Sequence, residues 1–209
     1  MSSPIHYFKA GGPLMYPILL CSVAALAIII ERWIFLRRVR GANERFHRDV
    51  RTHLHPGSIE DAIRVCRANQ APLAQVFFAG LVRVADGEDR TRQAIEEVGQ
   101  MEVAEFQRFM GGLSTIIGGS TLLGFLGTVT GLIKAFQQVE GLQGAGNPSS
   151  LASGIWEALL TTAFGLIVAI PASFAHGLLM SRIQGEVRHM EERSRKLMVL
   201  LVTGREDRA

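Results

Sequence analysis

No charged side chain interrupts residues 11–30, 111–133 or 158–181 of this 209-residue chain. At about 1.5 Å of rise per residue, each run makes roughly 30 Å of helix or more, the thickness of a hydrocarbon core. A soluble helix breaks its apolar surface with charge at every turn, so these runs restrict the fold to an all-α, polytopic membrane protein with three transmembrane helices. The composition agrees, with 48% hydrophobic and 20% charged residues and a mean hydropathy of +0.22. It excludes collagen-like and disordered chains. Cys21 lies in an apolar run and Cys66 in a charged region, so the chain has no disulfide framework.

The arginines fix an expected topology. Lys9 alone precedes the first run, and neither Lys nor Arg occurs between Gln137 and Trp156. Arg32, Arg37, Arg38 and Arg40 follow the first run, and Arg182, Arg188, Arg193, Arg195 and Lys196 follow the third. The positive-inside rule puts the N-terminus outside and the C-terminus in the cytoplasm. The expected order is a periplasmic N-terminus (1–10), span one (11–36), a cytoplasmic helical domain (37–110), span two (111–136), a periplasmic link (137–153), span three (154–181) and a cytoplasmic C-terminal helix and tail (182–209). A signal peptide would place basic residues before its apolar core, so span one is expected to be retained. The net charge of +3 is accounted for by these flanks, with no separate basic stripe for nucleic acid.

Within 37–110, Pro56-Gly57-Ser58 offers a break and a cap, and Ala71-Pro72 opens another helix. The stretch Arg90 to Met110 has no proline and is expected to run unbroken into span two. Asn147-Pro148 reads as cap and first residue of span three, and Pro171 should kink that helix. Enzyme signatures are absent: no phosphate loop, no His-Glu-x-x-His, no Gly-x-Ser-x-Gly, no Cys/His cluster. His53 and His55 read as solvated surface. The chain is expected to be no enzyme and to hold neither metal nor cofactor.

The spans carry the remaining signal. Ile117, Thr121, Gly124, Thr128, Gly131 and Ala135 form one helical stripe in span two; Ala158, Thr162, Gly165, Ala169, Ala172 and His176 form another in span three. Such stripes serve close helix packing or line a narrow pore, and both uses can share one stripe. A three-span monomer is not expected to satisfy both stripes, which points to a homo-oligomer. Glu157 is a carboxylate at the edge of an apolar span, a functional candidate by default. Lys134 is expected to snorkel outward and His176 to sit at the cytoplasmic interface. With only hydroxyls at mid-membrane, a proton path through these spans would need its central carboxylate from another chain.

The run Gly124-Phe125-Leu126-Gly127-Thr128-Val129-Thr130-Gly131-Leu132-Ile133-Lys134-Ala135-Phe136 and the run Gly154-Ile155-Trp156-Glu157-Ala158-Leu159-Leu160-Thr161-Thr162-Ala163-Phe164-Gly165 through Pro171-Ala172 resemble the ExbB/TolQ/MotA family of proton-channel proteins. The three-span pattern fits its ExbB/TolQ branch; MotA has four spans. The resemblance implies an inner-membrane stator subunit of a Gram-negative bacterium, a closed pentamer of long helices extending into the cytoplasm around a central pore. It further implies a pore-bound dimer of single-span ExbD- or TolR-like chains whose aspartate carries the proton, and a TonB- or TolA-like chain that takes the work to the outer membrane. By position, Thr128 and Thr162 correspond to the family's pore threonines and Glu157 to its span-three glutamate; Thr121 and Thr161 are assigned to the same path. Thr161 stands where alanine is common. The alternatives are a non-conducting membrane scaffold, which has no use for a lumen-facing carboxylate and hydroxyls, and a solute transporter, which would show paired repeats with broken helices.

Overall fold

The computed structural model describes residues 7–8, 10–53, 59–141 and 148–206. The Pro56-Gly57-Ser58 break, His55, the Asn147 cap and the final residues of the tail lie outside the described residues, as does part of the link 137–153.

Every regular element among the described residues is helical. Helix α1 spans Met15–His53, α2 Ile59–Arg67, α3 Pro72–Arg83, α4 Glu88–Gln107, α5 Met110–Gly141 and α6 Pro148–Glu206; a short 3-10 turn, Val84–Asp86, joins α3 to α4. Three stretches of helix, within α1, α5 and α6, are long and apolar enough to cross a membrane. The local causes are visible in the sequence. Pro72 sits in the first turn of α3, where its missing N–H costs nothing. Glu88 and Asp89 open α4, where negative charge favours the helix N-terminus.

One expectation fails. The stretch from Arg90 does not run unbroken into span two: α4 stops at Gln107, and Phe109 takes φ 65°, a left-handed conformation that costs a residue with a side chain about 1–2 kcal/mol. The Leu113 amide donates to the Phe109 carbonyl at 2.9 Å and restarts the helix. Periodicity could not show this stop, because it has neither glycine nor proline at the break. Pro171 lies inside α6, which continues as helix on both sides.

The chain divides into two compact units, one made of Met1–Glu31 and Phe109–Leu178, the other of Arg32–Arg108 and Leu179–Ala209. In the first, α5 lies against the first half of α6 with almost nothing between the backbones. A Cβ on Gly165 would fall 2.7 Å from the Ser120 carbonyl and 3.0 Å from the Gly124 Cα. Ala135 and Ala158 are buried, and a side chain on Gly131 or Gly154 would run into one or the other. The small residues of the two stripes therefore satisfy each other largely within one chain, contrary to the expectation that a monomer could not do so. What a single chain leaves open is large and apolar: Leu122, Phe125, Phe136, Leu159, Ile167 and Phe174 are all exposed.

The second unit has an ordinary core. Leu73, Ala74, Val76, Phe77 and Leu81 of α3 are buried, each of the larger ones contributing about 1.5–3 kcal/mol relative to exposure. Phe46 of α1 meets Phe77 edge to face at 5.6 Å. Asn43 Oδ1 accepts the Leu73 amide at 3.1 Å, satisfying an N–H that the first turn of α3 leaves without a helical partner. Arg32 is 2% exposed: it stacks on Phe35 and donates to the Glu105 carbonyl at 2.9 Å. Counted by charge it belongs to the topology signal, but the structure uses it as an internal brace between α1 and α4.

Candidate functional site

Glu157, Lys134 and Thr161 lie together with the N-terminal segment near one end of the α5/α6 pair. Gly12, just before α1, adopts φ +72°, and a Cβ there would collide with Glu157 Oε1. That backbone therefore seats directly on the carboxylate. From α5, Lys134 Nζ reaches the same oxygen at 3.1 Å. Glu157 is thus held between an ammonium and a glycine, with 29% of its side chain exposed. Lys134 is half-exposed and paired.

Thr161 lies one turn along α6 from Glu157 and is 1% exposed. Its hydroxyl hydrogen is shared between the Glu157 carbonyl at 2.7 Å and the Gly11 carbonyl at 3.2 Å. A Cβ on Gly127 would strike its side chain, so α5 closes over it as well. Thr161, which sequence position assigns to the proton path, is here a tie between α6 and the N-terminal segment, inside the chain. The adjacent Gly11-Gly12 pair was the available sequence signal, since two glycines before a proline allow close backbone approach.

The other hydroxyls are placed differently. Thr162 donates to the Gly124 carbonyl of α5 at 2.8 Å and is partly buried at the helix contact. Thr128 donates to Phe125 at 2.6 Å and Thr121 to Ile117 at 3.1 Å, each within its own helix. Those two face the outside of the chain, where their oxygens keep acceptor capacity. The expected set thus falls into three groups: Glu157 and Thr161 with the N-terminal segment, Thr162 between the helices, and Thr121 and Thr128 on the open flank of α5.

No group of His, Cys, Asp and Glu among the described residues is spaced to hold a metal ion. Outside the spans, burial pushes the Cys66 thiol up to about 11, which leaves it an unreactive core residue. Burial, reinforced by neighbouring Glu105, raises the Glu102 carboxyl above its usual range.

The pattern of the MotA/TolQ/ExbB proton channel family matches residues 68–192, which includes α3 through α5 and every one of these hydroxyls and charges. The chain belongs to the MotA/TolQ/ExbB proton channel family. Within the MotA/TolQ/ExbB family it is 36% identical over 163 residues to a biopolymer transport protein, ExbB-like 3, of Synechocystis sp., covering 77% of each chain. It is 30% identical over 192 residues to the biopolymer transport protein ExbB of Neisseria meningitidis, covering 82% of this chain and 84% of the relative. A shorter match, 34% over 93 residues and 44% of this chain, joins it to the Tol-Pal system protein TolQ of Haemophilus influenzae. With its three apolar helices, this MotA/TolQ/ExbB family chain is a multi-pass membrane protein.

Proposed function

We propose that this protein is the channel-forming stator subunit of an inner-membrane machine that uses the proton motive force to drive biopolymer transport or envelope maintenance. It works as a pentamer around a pore, together with single-span ExbD- or TolR-like chains and a TonB- or TolA-like chain. The observation that carries the reading is the α5/α6 pair. Two membrane helices pack at backbone distance, Thr128 and Thr162 lie on them, and the carboxylate they bring, Glu157, is already compensated by Lys134 at 3.1 Å. A proton crossing a hydrocarbon core needs a titratable acceptor on its path. Here the hydroxyls can orient water and accept hydrogen bonds, while the acceptor that changes charge comes from the partner's span.

Thr128 and, at the pore-facing edge of the helix contact, Thr162 flank the partner's acidic group, with Thr121 one further turn along α5. Glu157 and Lys134 stand near the external mouth. The N-terminus is periplasmic and the C-terminus cytoplasmic. The test is reconstitution of the full-length protein with a single-span ExbD- or TolR-like chain from the same cell, in vesicles with a pH-sensitive dye inside. Proton uptake under an imposed potential is expected with both chains and lost when either is omitted. Uptake unchanged in a Thr128→Val, Thr162→Val double variant would remove these hydroxyls from the path.

A further inference from the structure

Trp33 of α1 is shared by two arginines. The Arg182 guanidinium carbon from α6 lies 3.9 Å from the centre of its ring, and that of Arg37, one turn further along α1, lies 5.1 Å from it. Each contact is an attractive stack of a cation on an aromatic face. Together they hold two positive charges within roughly a Debye length of one another. Two other cations on these helices are paired with carboxylates: Arg40 reaches Glu44 at 3.2 Å and Glu186 at 3.9 Å, and Lys196 reaches Glu192 at 2.7 Å. Glu186, one helical turn beyond Arg182, is turned to Arg40 instead. Neither Arg37 nor Arg182 has an ion-pair partner among the described residues, so two ordered guanidiniums share one indole with their N–H donors uncommitted.

Their place along the chain bears on what anion could meet them. Arg182 is the first charged residue after the uncharged run 158–181, and Trp33 and Arg37 come just after the uncharged run 11–30. Both arms of the cluster therefore reach the level of lipid headgroups, the depth at which tryptophan rings concentrate. Guanidinium forks match phosphate oxygens with two parallel hydrogen bonds, which an ammonium cannot do.

We propose that Trp33, Arg37 and Arg182 form a binding site for the phosphate of an anionic phospholipid at the basic end of the spans. The bound headgroup supplies the negative charge that the protein omits, and it ties α1 to α6 at that level. The site rests on the membrane placement of the two uncharged runs and not on proton conduction; the readout below needs no flux, so the two readings fail separately.

Replacing Trp156 by Phe leaves Trp33 as the sole indole of the chain. The full-length Trp156→Phe protein in neutral detergent is titrated with phosphatidylglycerol while Trp33 emission is followed. A saturable change is expected with phosphatidylglycerol and none with phosphatidylcholine. Arg37→Gln or Arg182→Gln should each weaken it about 5-fold, and the pair about 25-fold, as expected for basic residues near an anionic surface. The pair Arg37→Lys, Arg182→Lys keeps charge without the fork and should fall between wild type and the Gln pair. This second pair decides the matter if the Gln pair does not fold. Equal response to phosphatidylcholine, wild-type affinity in the Gln pair, or wild-type affinity in the Lys pair would overturn the proposal. Displacement of the signal by millimolar inorganic phosphate would also overturn it, because the site would then take a free anion instead of a lipid.

Discussion

At Glu157, two contributions compete. An exposed carboxylate–ammonium pair in water contributes about 0.2–1 kcal/mol, whereas a charge left without its partner in a desolvated place costs several times that. The pair here is partly covered, since Gly12 sits on the carboxylate and Glu157 is 29% exposed. Lys134→Met is therefore expected to lower the melting temperature in mild detergent more than the double variant Lys134→Met, Glu157→Gln does. Additive effects in that cycle would mean the pair is a loose surface contact. Gly12→Ala should cost about 1–2 kcal/mol from its positive φ alone, and should push the flexible carboxylate off Lys134. Glu102 gives a pH-dependent case. Its carboxyl is raised in the folded protein by burial and by Glu105, so the fold gains when Glu102 is protonated and loses that gain as pH rises through the raised value. Glu102→Gln should then raise the melting temperature at neutral pH and have no effect in acid, a difference readable by thermal scans at the two conditions.

Between elements, the α5/α6 contact is set by backbone proximity. In a bilayer there is no water to expel between apolar helices, so association depends on how closely their backbones can approach. Gly165 faces the Ser120 carbonyl and the Gly124 Cα, both main-chain atoms that no rotamer change can move. Gly165→Leu should separate the helices and cost about 1–3 kcal/mol or more. Gly177→Ala on the same helix meets nothing within 4 Å and should be neutral or slightly favourable. Paired melting curves for the two variants check this, and equal behaviour would mean that the contact is looser than described. The break at Phe109 is the other decision taken between elements. It ends α4 and restarts the chain as α5, at the boundary between the two compact units.

For the whole molecule, what calls for assembly is exposed apolar surface. The small-residue stripes are largely used inside one chain, so they no longer require neighbours. The exposed Leu122, Phe125, Phe136 and Leu159, together with the open flank that carries Thr121 and Thr128, are surfaces that lipid or other copies must cover. A pentamer is expected in native mass spectrometry from mild detergent, and a monomer alone would sink it. In that assembly, Thr128→Val with Thr162→Val should leave the mass unchanged and lower proton flux at least tenfold. Loss of assembly would instead assign these hydroxyls to packing.

The membrane class, the three spans and the helical character are legible in the residues alone, because they follow from where charge is absent over a length set by the bilayer. The two threonine- and glycine-bearing runs were enough to mark the family resemblance. Tertiary structure decided which side of each stripe faces inward. It made Thr161 a buried tie to Gly11, gave Lys134 to Glu157, placed Arg32 in the core, and stacked Arg37 and Arg182 on one tryptophan. None of these pairings is periodic, and most join residues far apart in the chain. Spacing along one helix fixes which residues share a face, but only the packing of a second helix fixes what that face meets.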